Sequence, residues 1–168
     1  MSTQKLISEK SSIKNEIKKS LSITSKNRAI GWICPDIEIT KDFLQWLSLC
    51  DADFVVSKEN SEIQKSGNFF VSSEVDVLSQ KEGFDFFLCG GKSKNIQDFM
   101  AGGVVPILHK DNYLSALLKD FNPIKGEWNA FFYSSQNKWS MYAALVKYFE
   151  NYKFPYDNKN LVKNIFEM

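Results

Sequence analysis

The chain has 168 residues, 43% hydrophobic and 14% aromatic, which describes one globular domain whose core needs no disulfide or metal, and leaves no room for two full-sized enzyme domains around a cleft. Its net charge of +1 is uneven: residues 1–27 carry six lysines and two glutamates (+4), residues 28–168 carry −3, and Arg28 is the only arginine, which argues against a nucleic-acid-binding face. Three scattered cysteines (Cys34, Cys50, Cys89) suggest neither a disulfide framework nor a metal site, and the absence of a long apolar run or signal-peptide core predicts a protein that is not membrane-spanning and is cytoplasmic.

In chain order, residues 4–21 place Leu6, Ile13, Ile17 and Leu21 near helical spacing among lysines, so 1–27 reads as a Lys-rich amino-terminal helix or linker. The rest, 28–168, alternates between two periods. Strand-length apolar runs fall at Ala29–Cys34, Asp53–Val56, Phe69–Ser72, Phe84–Cys89, Val104–Leu108 and Ala130–Tyr133; most are apolar throughout, as a sheet covered on both faces requires. Between and after them, helix-period segments fall at Lys41–Cys50, Ser73–Gln80, Asn95–Gly102, Tyr113–Phe121, Lys138–Tyr152 and Asn158–Glu167, with Thr40 and Ser93 as candidate caps. This alternation predicts an α/β fold: a single Rossmann-like, doubly wound domain with a mostly parallel sheet of five or six strands flanked by helices. Ligands of such sheets bind beyond the carboxyl ends of the strands, at the switch in strand order.

The most informative run is Phe84–Leu108, FDFFLCGGKSKNIQDFMAGGVVPIL: strand, Gly-Gly turn, short helix, second glycine pair, strand. Gly90 and Gly91 allow backbone amides close to a ligand, Ser93 is placed to cap the following helix, and Lys92 and Lys94 add positive charge, which together outline an anion site. A tight strand-to-helix turn would use the same glycines for their backbone angles alone. GGKS is not a P-loop, because the glycine that pattern needs falls on Phe86, and no G-x-G-x-x-G follows any predicted strand. Gly102 and Gly103 suit a left-handed helix cap, and Pro106 predicts an edge strand or a bulge.

Asp98–Ile107, DFMAGGVVPI, resembles the E-A-M-A-x-G-x-x-P-[VI] signature in the carboxyl-terminal, nucleotide-sugar-binding domain of GT-B fold glycosyltransferases. KSLSITSKNRAIGWI followed by Lys41-Asp42-Phe43-Leu44 resembles that family's linker, first strand and lysine-started helix, and Glu127–Tyr133 resembles its late turn and strand. The resemblance implies that Asp98 holds the ribose, that Lys41 balances phosphate charge, and that Gly90, Gly91, Lys92 and Ser93 face the diphosphate of a nucleotide-sugar donor, with no further cofactor or metal. Two departures stand out: Gly90 occupies the position of the family's donor-sugar glutamate, and Trp32, not arginine, follows Gly31. It further implies a partner, since 168 residues make about half of a GT-B enzyme: an acceptor-binding domain on another polypeptide or the rest of a longer chain, unless the domain is degenerate and non-catalytic.

Other features carry less. Asp36 and Glu38 after the first strand, with Asp51 and Asp53 beside the second, allow a receiver-like regulatory domain as an alternative, though Lys138 is the only lysine near the end of the late strand. His109, the sole histidine, is expected in a surface turn past its strand. Tyr148, Phe149, Tyr152 and Phe154 near helical spacing suit packing of the last helices on the sheet or an interface with a partner domain.

Overall fold

The computed structural model describes residues 3–58, 67–122, 124–134 and 138–168. Its six strands are β1 (Ala29–Ile33), β2 (Ala52–Ser57), β3 (Phe69–Ser72), β4 (Phe86–Cys89), β5 (Val105–His109) and β6 (Phe131–Tyr133). All pair in parallel in the order β3-β2-β1-β4-β5-β6. The helices are α1 (Thr3–Ser20), α2 (Lys41–Ser48), α3 (Glu74–Ser79), α4 (Ile96–Ala101), α5 (Lys138–Tyr152) and α6 (Pro155–Phe166). Every residue of β1, β2, β4 and β5 is buried, which is why those runs lack polar alternation. The doubly wound α/β expectation holds.

Register explains how the two faces are filled. Gly31 pairs with Phe54 on one side and Phe86 on the other, so all three share a face. There the Phe86 ring lies against Phe54, Tyr148 and Phe149, with Phe131 also on Tyr148, so α5 covers that face. On the opposite face Phe87 stacks on Phe99 of α4 at 5.1 Å. A Cβ on Gly31 would lie 2.0 Å from the Phe86 ring, so the glycine is there for space. The chain leaves β1 for β2 and β3 on one side and returns to place β4, β5 and β6 on the other, which puts the switch in strand order between β1 and β4.

At the amino ends of the central strands, α1 is tied down by charge. Lys14 Nζ donates to Asp85 Oδ2 at 2.6 Å and to the Tyr152 hydroxyl at 3.0 Å, and Asp85 Oδ2 also accepts from Ile30 N at 2.8 Å. Lys10 donates to the carbonyls of Glu82 and Phe84, and Ile17 is buried in the core. Burial works against the Lys14 charge, but the neighbouring Asp85 carboxylate and Tyr152 outweigh it and hold the ammonium above its ordinary pKa.

Three local expectations change. Tyr113–Phe121 forms a series of turns instead of a helix, because Asn112 Oδ1 takes Leu114 N, Asn129 Oδ1 takes Lys119 N at 2.7 Å, and Asp120 is drawn into a bridge with Ala130. Pro106 lies in an interior strand without a bulge: Val105 N bonds towards β4, so the proline nitrogen faces β6, one residue before that ladder starts at Ile107. The last helix begins at Pro155, three residues earlier than expected, since proline at the first helical position needs no amide partner. Gly103, at φ +68°, supplies the left-handed residue after α4.

Two measurements check this architecture. Gly31→Ala forces the Phe86 ring out of place and should cost about 1–3 kcal/mol or more in denaturant unfolding; an unchanged midpoint would mean that the ring does not lie over Gly31. Asp85→Ala strands Lys14 and the Ile30 amide and should cost about 2–4 kcal/mol at neutral pH. Because the Lys14 pKa is raised on folding, its contribution is complete below about 10.5 and disappears as pH rises through the higher folded value, so the gap between variant and parent should narrow only in strong alkali and keep the part due to the Ile30 amide.

Candidate functional site

The loops leaving β1 and β4 meet where strand order switches. After β1, Cys34-Pro35-Asp36-Ile37 forms a turn closed by Ile37 N donating to Cys34 O at 3.0 Å, and it aims the Asp36 carboxylate at the loop after β4. Gly90 N donates to Asp36 Oδ1 at 3.1 Å, Lys92 N donates to Oδ2 at 3.1 Å, and the Ser93 hydroxyl donates to Oδ1. Gly90 N also lies 3.2 Å from Ser93 Oγ. Two amides and a hydroxyl thus converge on one oxyanion. A Cβ on Gly90 would lie 2.6 Å from Asp36 Oδ2, so glycine makes the room the carboxylate occupies.

This corrects the expected role of Ser93. Its hydroxyl is engaged with Asp36 and does not cap α4, which instead follows Asn95 in a left-handed conformation (φ 60°) with no side-chain cap bond. The β4 loop is held from its other side by Asn112 Nδ2 donating to Gly90 O at 3.0 Å and by the Tyr133 hydroxyl donating to Cys89 O at 2.8 Å. Burial first, then the nearby Cys89, Asp36 and Cys34, pushes the Tyr133 phenol far above its usual pKa, so it stays a donor. Burial, with the neighbouring Cys34 thiol, likewise raises Cys89 and keeps it an unreactive thiol.

A cleft of about 640 Å³ opens beside this cradle, lined among others by Asp36, Gly90, Gly91, Lys92, His109 and Lys138. A smaller cavity of about 220 Å³, with Trp32, Leu78, Asn95 and Phe99 in its wall, lies against the same loop; Asp36 and Lys92 line both. His109 ends β5 and is only 8% exposed, so the expected surface turn is corrected: its Nδ1 accepts from Asp111 N at 3.1 Å, its ring meets Tyr133 edge-on, and its Nε2 is buried without a partner among the described residues. Lys138, at the start of α5, reaches across to donate to Thr40 Oγ1 at 3.1 Å, the residue that caps α2 by accepting from Phe43 N.

Of the expected site residues, the structure brings Gly90, Gly91, Lys92 and Ser93 together with Asp36. Lys41 is exposed on the first turn of α2 and Asp98 is exposed on α4, and neither lines these two cavities. Asp51 and Asp53 sit at the opposite, amino end of β2, where Arg28 pairs with Asp51 at 2.8 Å and Ser25 bonds Asp53, so they do not join Asp36 as a receiver-like acidic site would need. Among the described residues no cluster of three or more metal-ligating side chains forms, and no helix is long and apolar enough to cross a membrane. Asp36 and Lys138 were singled out only within the receiver-like alternative; the place of Asp36 in the Gly90 cradle and of Lys138 on the cleft wall was not legible, since it depends on strands distant in sequence.

Sheet order and a cleft at the switch point define a Rossmann-like, doubly wound α/β domain. Among solved structures, the chain is similar to the catalytic domain of starch synthase IV from Arabidopsis thaliana bound to ADP and acarbose, with a TM-score of 0.71 and 17% identity over 95% of this chain and 39% of that one. It is also similar to the C-terminal CMP-Kdo binding domain of WaaA from Acinetobacter baumannii, with a TM-score of 0.61 and 10% identity over 95% of this chain and 97% of that one. At these identities the likeness establishes the fold. The chain spans 39% of the starch synthase chain but nearly all of the isolated WaaA domain. No family model matches the sequence, and no curated protein does.

The cradle makes a direct prediction. Gly90→Ala should expel the Asp36 carboxylate and cost about 1–2 kcal/mol of stability. In an Asp36→Ala background the same change should cost less, with a coupling of at least about 0.5 kcal/mol in a double-mutant cycle; strict additivity would show that the two residues do not meet.

Proposed function

We propose that this domain binds a nucleotide-sugar and takes part in glycosyl transfer, in glycan or polysaccharide biosynthesis, together with an acceptor-binding domain. The observation that carries the reading is the convergence of the Gly90 and Lys92 amides and the Ser93 hydroxyl on an oxyanion at the switch point, beside a cleft with Lys92 and Lys138 on its wall. Fold neighbours solved with ADP and named for CMP-Kdo binding support it. Transfer leaves negative charge on the departing nucleotide, and preoriented amides with lysines beside them stabilise such charge without a metal. In this reading Lys92 and Lys138 balance the phosphates, Asp98 and Lys41 meet the ribose and phosphate from the rim once the ligand extends beyond the cleft, and the buried reduced thiols suit work in the cytoplasm.

A second reading, a non-catalytic interaction domain on the same fold, is favoured by one observation: position 90, where the resemblance expects the donor-sugar acid, is glycine, and no acid lies between Asp85 and Asp98.

Ligand-linked stability decides between them. With UDP-, GDP-, ADP- or CMP-linked sugars at millimolar concentration, the matching donor should stabilise the fold by about 2.7 kcal/mol when present at 100 times its Kd. Lys138→Ala should remove most of that shift. A melting curve unmoved by every donor class would leave the interaction-domain reading standing; binding without turnover until an acceptor-domain protein is added would establish the partnered form.

A further inference from the structure

The cradle after β4 is filled, and its occupant is the chain's own. Asp36 takes two backbone amides and a hydroxyl, the donor set that would otherwise meet a phosphate oxygen. The residue that supplies it is poorly anchored in every other respect. Asp36 is exposed, it sits in the middle of the Cys34–Ile37 turn, and the backbone of that turn is fastened independently by Ile37 N on Cys34 O and by Cys34 N on Leu88 O at 2.9 Å. Rotation of the side chain alone therefore takes the carboxylate out of the cradle and leaves β1 and its turn in place.

The Gly90 side of the cradle is fixed. The Tyr133 hydroxyl holds the carbonyl of Cys89, whose peptide plane carries the Gly90 amide, and Asn112 holds the carbonyl of Gly90, so the Gly90 amide keeps its direction whether or not Asp36 is present. The carboxylate also stands between two cavities. Asp36 and Lys92 line both the 640 Å³ cleft and the 220 Å³ pocket beside Trp32 and Phe99, so the two cavities adjoin at these residues.

We infer that Asp36 is an internal competitor for an anion site: a phosphate group of the ligand displaces its carboxylate from the Gly90–Lys92–Ser93 cradle, and the displacement joins the two cavities into one groove. This rests on the donor-binding reading above and adds to it a residue that sets how strongly, and for which phosphates, the site binds. A carboxylate already in place must be outbid, so a single, weakly charged phosphate gains little from the exchange, whereas a diphosphate with a group seated in each cavity gains most. Repulsion between the displaced Asp36 and the incoming phosphate is relieved by Lys92, whose side chain leaves from the same loop.

The test uses the full chain and inorganic pyrophosphate, which probes the cradle without a base or a sugar. Titration calorimetry on the parent, Asp36→Ala and Asp36→Asn should show pyrophosphate bound at least about tenfold more tightly by both variants, the worth of one charge-assisted contact no longer opposed. The backbone amide resonances of Gly90 and Lys92 should shift in Asp36→Ala and move back when pyrophosphate is added. Asp36→Asn keeps the size of the side chain, so a folding defect confined to the alanine variant leaves the comparison intact. Equal or weaker pyrophosphate binding by the folded variants overturns the inference, as does an absence of binding in all three proteins at millimolar concentration. Tighter pyrophosphate binding with no response to any nucleotide-sugar, in parent or variant, upholds the competitor and removes the donor-binding reading instead.

Discussion

The fold turns on one aromatic ring lying where a side chain is missing. Phe86 of β4 covers Gly31 of β1, and the space that glycine leaves lets the ring reach Phe54, Tyr148 and Phe149 at once. A parallel sheet must bury both faces, and the contact between β1 and β4 is the one place where the two halves of this sheet are joined. A methyl group on residue 31 would force the Phe86 ring out of this place and loosen the packing that holds β4 beside β1. The interior packing of an aromatic ring thus decides where the polar chemistry of the molecule is assembled.

At the carboxyl end of the same strand pair, space is used again, now for charge. Glycine at position 90 and aspartate at position 36 are a single arrangement: the carboxylate needs the volume that a side chain at 90 would fill, and the amide of Gly90 needs an acceptor. Where the resemblance expects an acid at position 90 this chain has glycine, and the room it leaves is taken by a carboxylate from 54 residues earlier in the chain.

How much of this could be read from the sequence follows from the range of the interactions involved. The six strands were legible because burial on both faces leaves unbroken apolar runs such as Phe86–Cys89, and α2 because Thr40 caps it three residues before Phe43. The stretch 113–121 misleads because its leucines have helical spacing, while its backbone is claimed by the side chains of Asn112 and Asn129, a competition that periodicity does not register. Within the site, the Gly-Gly turn was visible, and the structure sets the Gly90 and Lys92 amides on the carboxylate of Asp36 there. The occupant was not, because pairing of Asp36 with Gly90 depends on β1 and β4 being neighbours, and neighbours across a switch point are distant in sequence. The role given to Ser93 as a cap failed for a local reason: α4 starts at Ile96, after Asn95 in a left-handed conformation, so Ser93 stands two residues before the cap position and its Oγ accepts from Gly90 N instead.

The two ends of the sheet treat charge in opposite ways. At the amino end, Asp85 is closed on three sides by Lys14, by the amide of Ile30 and, through Lys14, by Tyr152, so the Lys14–Asp85 pair is spent on holding α1 against the strands. At the carboxyl end polar groups are kept at an open cleft: the Asp36 carboxylate sits in its cradle at an exposed turn, Lys92 and Lys138 stand at the cleft wall, and the Nε2 of His109 is buried with no partner among the described residues. Under the donor-binding reading, an oxyanion of the ligand takes the cradle and faces the two lysines, while the tie at the far end of the same strands holds α1 and the sheet together.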